Sequence, residues 1–301
     1  MKQPLPILKD KKMQERLNKD GYVLIDFFDT KELAQLQTIF DELHKNRTDI
    51  PYNQLYTCLH NADAEYRWQM NNHLAELCNN RMNDFFAESK NTIFTFQIKG
   101  MGPQSELYVH QDWSFTDESK ELYTYTFWLP LVESNTGNGT ISVLPGSHNY
   151  LREIRGANIN PVFDHLRKQL IKHLKPLTIR PGQLLLFDSA LLHYSPANLS
   201  DKIRVSVMTN VMRKEAAVFL YFRNKENPEG VDEYSVPEDF FMHYTNFKEE
   251  YSSPPSFAKY ERSFVLKEEF YTEPQLEKLV TKIRNDYTFA GRLLNKFYET
   301  V

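Results

Sequence analysis

Two histidines, one aspartate and one arginine stand out in this chain because their spacing can build a metal site beside an anion pocket. His110 and Asp112 are separated by one residue in Tyr108-Val109-His110-Gln111-Asp112-Trp113. In an extended strand residues i and i+2 point to the same face, so an imidazole and a carboxylate are aimed at one point. A third ligand from elsewhere completes a triangular face on a metal ion. His193 is the candidate, because it follows the apolar run Leu184-Leu185-Leu186-Phe187-Asp188, which reads as a buried strand. Two neutral imidazoles and one carboxylate leave three positions open on Fe(II), the arrangement associated with Fe(II) oxygenases. Arg204 lies eleven residues after His193, in Lys202-Ile203-Arg204-Val205-Ser206-Val207-Met208, and shares a strand face with Ser206. A guanidinium fork beside a hydroxyl suits the far carboxylate of a dicarboxylic acid in a partly buried pocket. Of the other histidines, His44, His73, His165 and His173 fall on helical segments and read as surface or capping residues. His148 ends the turn Pro145-Gly146-Ser147-His148 and reads as structural, while His60 and His243 lie in segments of no clear class.

The elements that must position these residues change character along the chain. Residues 10–19 read as a short helix before Gly21, and 22–28 as a buried strand rich in β-branched and aromatic residues. Asp29 followed by Glu32 marks a helix start, with apolar residues at Leu33, Leu36, Ile39 and Leu43 down to His44. A second helix is expected over 73–89. From 92 to 212 short strands alternate with turns: 93–98 and 122–129 alternate, and Asn138-Gly139, Pro145-Gly146 and Pro181-Gly182 punctuate. A helical insertion is expected over 161–174. Strands at this spacing argue for a sandwich, jelly roll or barrel.

Bulk properties narrow the function classes. The 301 residues are 41% hydrophobic and 25% charged, with 21 Phe and 17 Tyr, ample for a large core. The formal net charge is −4, and no basic run occurs, which argues against a nucleic-acid partner. The two cysteines, Cys58 and Cys78, form no CxxC and are expected as free thiols. The N-terminus lacks the apolar region of a signal peptide, and no apolar run approaches the ~20 residues of a membrane span. The expectation is a cytoplasmic protein acting on a small molecule, with no membrane partner and an oligomeric state the sequence leaves open.

At this point the chain resembles the phytanoyl-CoA dioxygenase family of 2-oxoglutarate oxygenases. The matching segments are His110-Gln111-Asp112-Trp113, residues 138–148 (Asn-Gly-Thr-Ile-Ser-Val-Leu-Pro-Gly-Ser-His), and 181–188 running on to His193 and Arg204. Gly21-Tyr22-Val23-Leu24 fits the family's opening strand, and the resemblance covers residues 15–212. It implies a mainly β fold with flanking helices, built on a double-stranded β-helix (a cupin-like jelly roll) with Fe(II) at its open end. His110, Asp112 and His193 would be the iron ligands and Arg204 would bind the 5-carboxylate of 2-oxoglutarate, with O2 as co-reactant. Trp128 and Gln97 fall where relatives carry cosubstrate-pocket residues, and Ser195 and Ser206 are further candidates. Related halogenases replace the carboxylate ligand by a small residue; Asp112 therefore favours hydroxylation or another oxidation.

The whole chain is expected to form one oxygenase domain, with a core over 15–212. Residues 213–301 would be a helical and loop extension packing on or capping that core. The aromatic stretches 52–68 and 219–244 are candidates to cover the open end. Two rival readings use the same residues: a cupin-like divalent-metal enzyme that does not take 2-oxoglutarate, and a non-catalytic jelly-roll binding module.

Overall fold

The structure, a computed structural model, describes residues 4–244, 253–267 and 269–298. Helix α1, Lys11–Asp20, opens on the Asp10 side chain, which accepts from the Met13 amide, and stops at Gly21 with φ 80°. That left-handed conformation favours glycine and turns the chain into strand β1, Tyr22–Asp26. Asp29 and Glu32 form a reciprocal capping box at the start of α2, Thr30–His44. Helix α3, Ala64–Phe85, begins nine residues before the helix expected over 73–89, because the Asp63 carboxylate caps it by accepting from the Tyr66 amide.

The remaining strands of the core are β2 (Leu55–Thr57), β3 (Ser89–Asn91), β4 (Thr95–Lys99), β5 (Leu107–His110), β6 (Tyr125–Pro130) and β7 (Ser142–Val143). After α4, Arg167–Ile171, come β8 (Lys175–Pro176), β9 (Gln183–Asp188), β10 (His193–Ser195) and β11 (Arg204–Arg213). The helix expected over 161–174 is thus reduced to α4 and the single 3-10 turn Asp164–Leu166 before it. Two antiparallel sheets form the jelly roll. The larger runs β1-β9-β6-β11-β4-β2, with β3 also on β11, and the smaller runs β5-β10-β7-β8.

Period-two alternation assigns every strand of the large sheet two faces. On β9, Leu184 and Leu186 join the outer cluster with α1–α3, while Leu185 and Phe187 face inward with Val143 of the small sheet. On β6, Phe127 and Leu129 point outward and Trp128 inward. Phe96 and Ile98 of β4, with Val205 and Val207 of β11, also belong to the outer cluster. Full burial of each such side chain stabilises by roughly 1.5–3 kcal/mol, so slipping the register of β4 or β11 by one residue would exchange apolar for polar residues along the strand. That phase sends Gln97, Lys99, Arg204 and Ser206 to the interior of the roll.

The extension over 213–301 differs from the expected helix and loop. Residues 218–265 carry a three-stranded antiparallel sheet of β12 (Val218–Arg223), β13 (Gly230–Val236) and β14 (Lys259–Val265). Val218, Leu220 and Phe222 are buried against Leu59, Ile93, Phe115, Phe240 and Phe241. In sequence this alternation is hidden, since the intervening Phe219 and Tyr221 are apolar too. Helix α5, Glu273–Tyr298, supplies the helical part, and Leu276, Val280 and Ile283 pack on Leu144 and Leu151 of the core. Cys58 and Cys78 are both buried free thiols.

Candidate metal centre

His110 is the last residue of β5 and pairs directly with His193, the first residue of β10. The two rings lie with centroids 4.0 Å apart. Strand β5 ends at His110, so Asp112 stands just beyond it rather than within a continuous strand, a departure from the simple i, i+2 reading. Its placement comes from tertiary bonds: its amide donates to Ser189 O at 2.8 Å, and its carbonyl accepts from Arg155 Nε at 2.8 Å. The result still converges. Asp112 Oδ1 lies 3.6 Å from His110 Nε2 and 3.7 Å from His193 Nε2, and one ligand atom from each residue falls within 4.8 Å of the others.

The donor set fits Fe(II) on its own chemistry. Each imidazole donates through Nδ1 to a carbonyl two residues earlier, His110 to Tyr108 O at 2.8 Å and His193 to Leu191 O at 2.9 Å. That fixes the tautomer and leaves both Nε2 lone pairs facing the gap. Burial and neighbouring His110 push His193 down to about 4, so it is neutral near pH 7. Burial acts to raise the Asp112 carboxyl, but His193, His110 and the Thr126 hydroxyl hold it well below the usual carboxylate range. Thr126 Oγ1 donates to Asp112 Oδ2 at 2.5 Å, leaving Oδ1 towards the histidines.

The residues singled out for the cosubstrate lie together on the inner face. Register pairs Arg204 with Lys99, Ser206 with Gln97, and Met208 with Trp128. The Arg204 guanidinium sits 5.0 Å over the Trp128 ring, and Trp128 Nε1 donates to Gln97 Oε1 at 3.4 Å. Ser206 Oγ donates to Gln97 O at 3.4 Å, and Ser195 Oγ to Gly139 O at 2.8 Å. Gly139 O also accepts from Arg204 Nη1. Arg204 is 1% exposed, yet its Nε has no partner, and among the described residues no carboxylate pairs with it. Burial alone drops it to about 9. A buried guanidinium with neutral partners and one orphaned N–H fits an absent carboxylate.

Two residues that the sequence reading did not single out lie against this group, Lys99 beside Arg204 and Thr126 bonded to Asp112. Lys99 is fully buried, donates to Ser105 O at 2.6 Å and Ser195 O at 3.3 Å, and is lowered to about 7 by burial and by the Arg204 charge. Its signal was present, two residues after Gln97 on an alternating strand. Thr126 was legible in the same way, two residues before Trp128. His148 takes the structural role its turn suggested: buried, with Nε2 bonded to Asn18 O at 2.9 Å.

A cleft of about 440 Å³ opens beside His110 and Asp112. Tyr56, Thr57 and His60 come to it from the 52–68 stretch and Phe241 from the 219–244 stretch, facing Gln97 and Asn210. Apart from Asp112, no Asp, Glu, Lys or Arg among the described residues lines it.

Fold and site together define a jelly-roll protein with a two-histidine, one-carboxylate metal centre. The sequence matches the profile of the phytanoyl-CoA dioxygenase (PhyH) family over residues 17–206, and the chain belongs to that family. It is 29% identical over 127 residues to phytanoyl-CoA dioxygenase 1 of Oryza sativa subsp. japonica, a match covering 41% of this chain and 44% of that protein. The match thus spans less than half the length of that relative. Among solved structures, the chain is similar to the non-haem α-ketoglutarate-dependent carbocyclase SnoK from nogalamycin biosynthesis. The TM-score is 0.50 at 16% identity, covering 69% of this chain and 86% of that one. It is also similar to HygX from Streptomyces hygroscopicus, solved with nickel and 2-oxoglutarate bound, with TM-score 0.48 and 16% identity over 68% of this chain and 88% of that one. Among the described residues no helix is long and apolar enough to cross a membrane.

Proposed function

We propose that the protein is an Fe(II)- and 2-oxoglutarate-dependent dioxygenase that hydroxylates a C–H bond of a small molecule, releasing succinate and CO2. The observation that carries this reading is the pairing of the His-Asp-His cluster with two buried cations, Arg204 and Lys99, neither in salt-bridge contact with a carboxylate among the described residues. Family membership supports it independently. His110, Asp112 and His193 would hold the iron through Nε2, Oδ1 and Nε2. Arg204 and Lys99 would hold the 5-carboxylate of 2-oxoglutarate, with Trp128, Gln97, Ser195 and Ser206 shaping the pocket around it.

When bound, iron and 2-oxoglutarate supply O2 activation coupled to oxidative decarboxylation of the cosubstrate. The chain's own contribution is orientation and charge. Neutral His193 and ionised Asp112 keep the ligand set ready without a proton to release near pH 7. The buried cations fix one end of a dianion and make its position independent of solvent. The cleft walls select what approaches the metal, and among the described residues they carry no charged side chain besides Asp112, which favours an uncharged group there, since an unpaired charge would be desolvated without compensation. The same two cations argue against a metal enzyme that makes no use of a dicarboxylate. Asp112 supports oxygenation over halogenation, which needs that ligand position for a halide.

The test is succinate formation from 2-oxoglutarate by Fe(II)-loaded protein, with and without candidate metabolites. Wild-type protein should produce succinate and Asp112→Ala should not; near-wild-type succinate from Asp112→Ala would overturn the metal assignment.

A further inference from the structure

Beside the metal ligands runs a chain of four charged side chains to which the proposed chemistry assigns no role, although Arg155 lines a small cavity together with His110. Arg155 Nη2 donates to Glu118 Oε1 at 2.5 Å, Arg152 Nη1 donates to Glu118 Oε2 at 3.3 Å, and Arg152 Nη2 donates to Asp188 Oδ2 at 2.5 Å. The side chains are 7%, 13%, 12% and 4% exposed in the order Arg155, Glu118, Arg152, Asp188. Charges balance along the chain, two cations against two anions. Burial works to raise Asp188, but Arg152 and His148 hold it below the usual carboxylate range.

Both ends of this chain close on Asp112. At one end Arg155 Nε donates to Asp112 O at 2.8 Å, and the backbone of Arg155 is tied to Ser114 in both directions, at 3.0 and 3.2 Å. At the other end Asp188 Oδ1 accepts from the Ala190 amide at 2.8 Å, shaping the turn that leads to His193. From that turn Ser189 O accepts the Asp112 amide at 2.8 Å, and Ala190 O accepts Gln111 Nε2 at 2.6 Å. The segment carrying two ligands and the turn preceding the third are thereby joined through one ring of bonds.

The position needs such a ring. Because β5 stops at His110, no sheet ladder holds the Asp112 peptide groups, and buried backbone donors and acceptors must find partners elsewhere. A buried ion chain is a poor source of net stability, since desolvation offsets most of its Coulomb gain, but it accepts one geometry only. We propose that Arg155-Glu118-Arg152-Asp188 is a positioning network that sets where the Asp112 carboxylate stands relative to His193. Arg155 is its decisive member. It touches neither metal nor cosubstrate and acts through the Asp112 peptide. This inference rests on the metal centre proposed above.

Co(II), whose visible spectrum reports ligand geometry, is the probe. In Arg155→Lys the charge stays, but one ammonium cannot replace the three bonds that the guanidinium donates to Asp112 O, Glu153 O (from Nη1, at 2.6 Å) and Glu118. Glu118→Gln is isosteric and removes the charge shared by both arginines. Each variant should bind Co(II) roughly 10- to 100-fold more weakly and, at saturating Co(II), show a shifted or weakened visible band. The double variant should be no worse than the more damaged single one, as for residues acting as one unit. Phe40→Leu, in the outer cluster under α2, serves as a control that lowers Tm without touching the ring, and its Co(II) spectrum should match wild type. A wild-type spectrum and affinity in folded Arg155→Lys or Glu118→Gln would overturn the network, as would the same spectral change in Phe40→Leu. If Arg155→Lys does not fold, the isosteric Glu118→Gln carries the test. Failure of wild-type protein to bind Co(II) would instead remove the metal centre itself.

Discussion

Arg204→Leu is expected to make the metal- and cosubstrate-free protein no less stable while removing its affinity for 2-oxoglutarate. Burial lowers the Arg204 guanidinium from its ordinary 12.5 to about 9. At ~1.4 kcal/mol per tenfold change in proton affinity, keeping that charge in the folded state near pH 7 costs on the order of 5 kcal/mol. Leucine removes this penalty. Against it stand the hydrogen bonds lost at Ser134 Oγ, Asn138 O and Gly139 O and the cation–π contact with Trp128, about 2–5 kcal/mol together. Gly139 O keeps its bond from Ser195 Oγ and Ser134 Oγ its bond to Thr140 Oγ1, so neither is orphaned. The net change is therefore between roughly zero and a few kcal/mol in favour of the variant, a Tm unchanged or raised by several degrees at ~2–4 °C per kcal/mol. Binding moves the other way. A bidentate charge-assisted pair with the 5-carboxylate is worth about 3–4 kcal/mol, so the dissociation constant for 2-oxoglutarate should rise roughly 100- to 1000-fold. Differential scanning calorimetry and isothermal titration calorimetry on Co(II)-loaded protein read the two quantities separately. A Tm fall of more than about 5 °C would show that Arg204 is a structural cation, and 2-oxoglutarate binding within threefold of wild type would refute the pocket.

Lys99, lowered to about 7 from 10.5, binds fewer protons folded than unfolded across that interval. The Lys99 contribution to stability should therefore be greatest above pH 10.5, fall as pH drops from 10.5 to 7 and level off below that, and Lys99→Met should flatten this dependence in pH-resolved urea melts. Binding of a dianion favours protonated Lys99, so 2-oxoglutarate affinity should weaken as pH rises above 7 in wild type, with proton uptake visible as a buffer-dependent calorimetric heat that Lys99→Met lacks. Gly139→Ala should destabilise by about 1–3 kcal/mol, because the residue has φ 72° and its Cβ would lie 2.3 Å from Pro196 O and 2.4 Å from Lys99 Cε; 2-oxoglutarate affinity should fall with it, and wild-type affinity would disconnect that turn from the pocket. Phe241→Ala, at the cleft wall, should change substrate-stimulated succinate formation while leaving the slow substrate-independent turnover within twofold, measured on the same preparation.

Much of the site was legible in the sequence because strand periodicity is local. Phe96 and Ile98 against Gln97 set the phase of β4, and in the same way Val205 and Val207 against Arg204 and Ser206 set that of β11. Caps at Asp10 and Asp29 likewise depend on side chains within three residues. The apolar character of 218–223 concealed β12 because a strand buried on both faces shows no alternation. Helix α3 was placed too late although its cap, Asp63 accepting from the Tyr66 amide, is as local as those at Asp10 and Asp29.

The sequence alone determined which donors are available for a metal and on which face of their strands Gln97, Trp128, Arg204 and Ser206 lie, since both follow from residue type and a two-residue period. Only the tertiary structure decided that Asp112 stands beyond the end of β5 yet still meets His110 and His193, that Lys99 lies against Arg204, and that Phe241 reaches the cleft. Each of those depends on register between strands far apart in the chain, or on bonds such as Arg155 to Asp112. A local pattern carries no information about them, because pairing is set by the total burial of the sheet and not by any one segment.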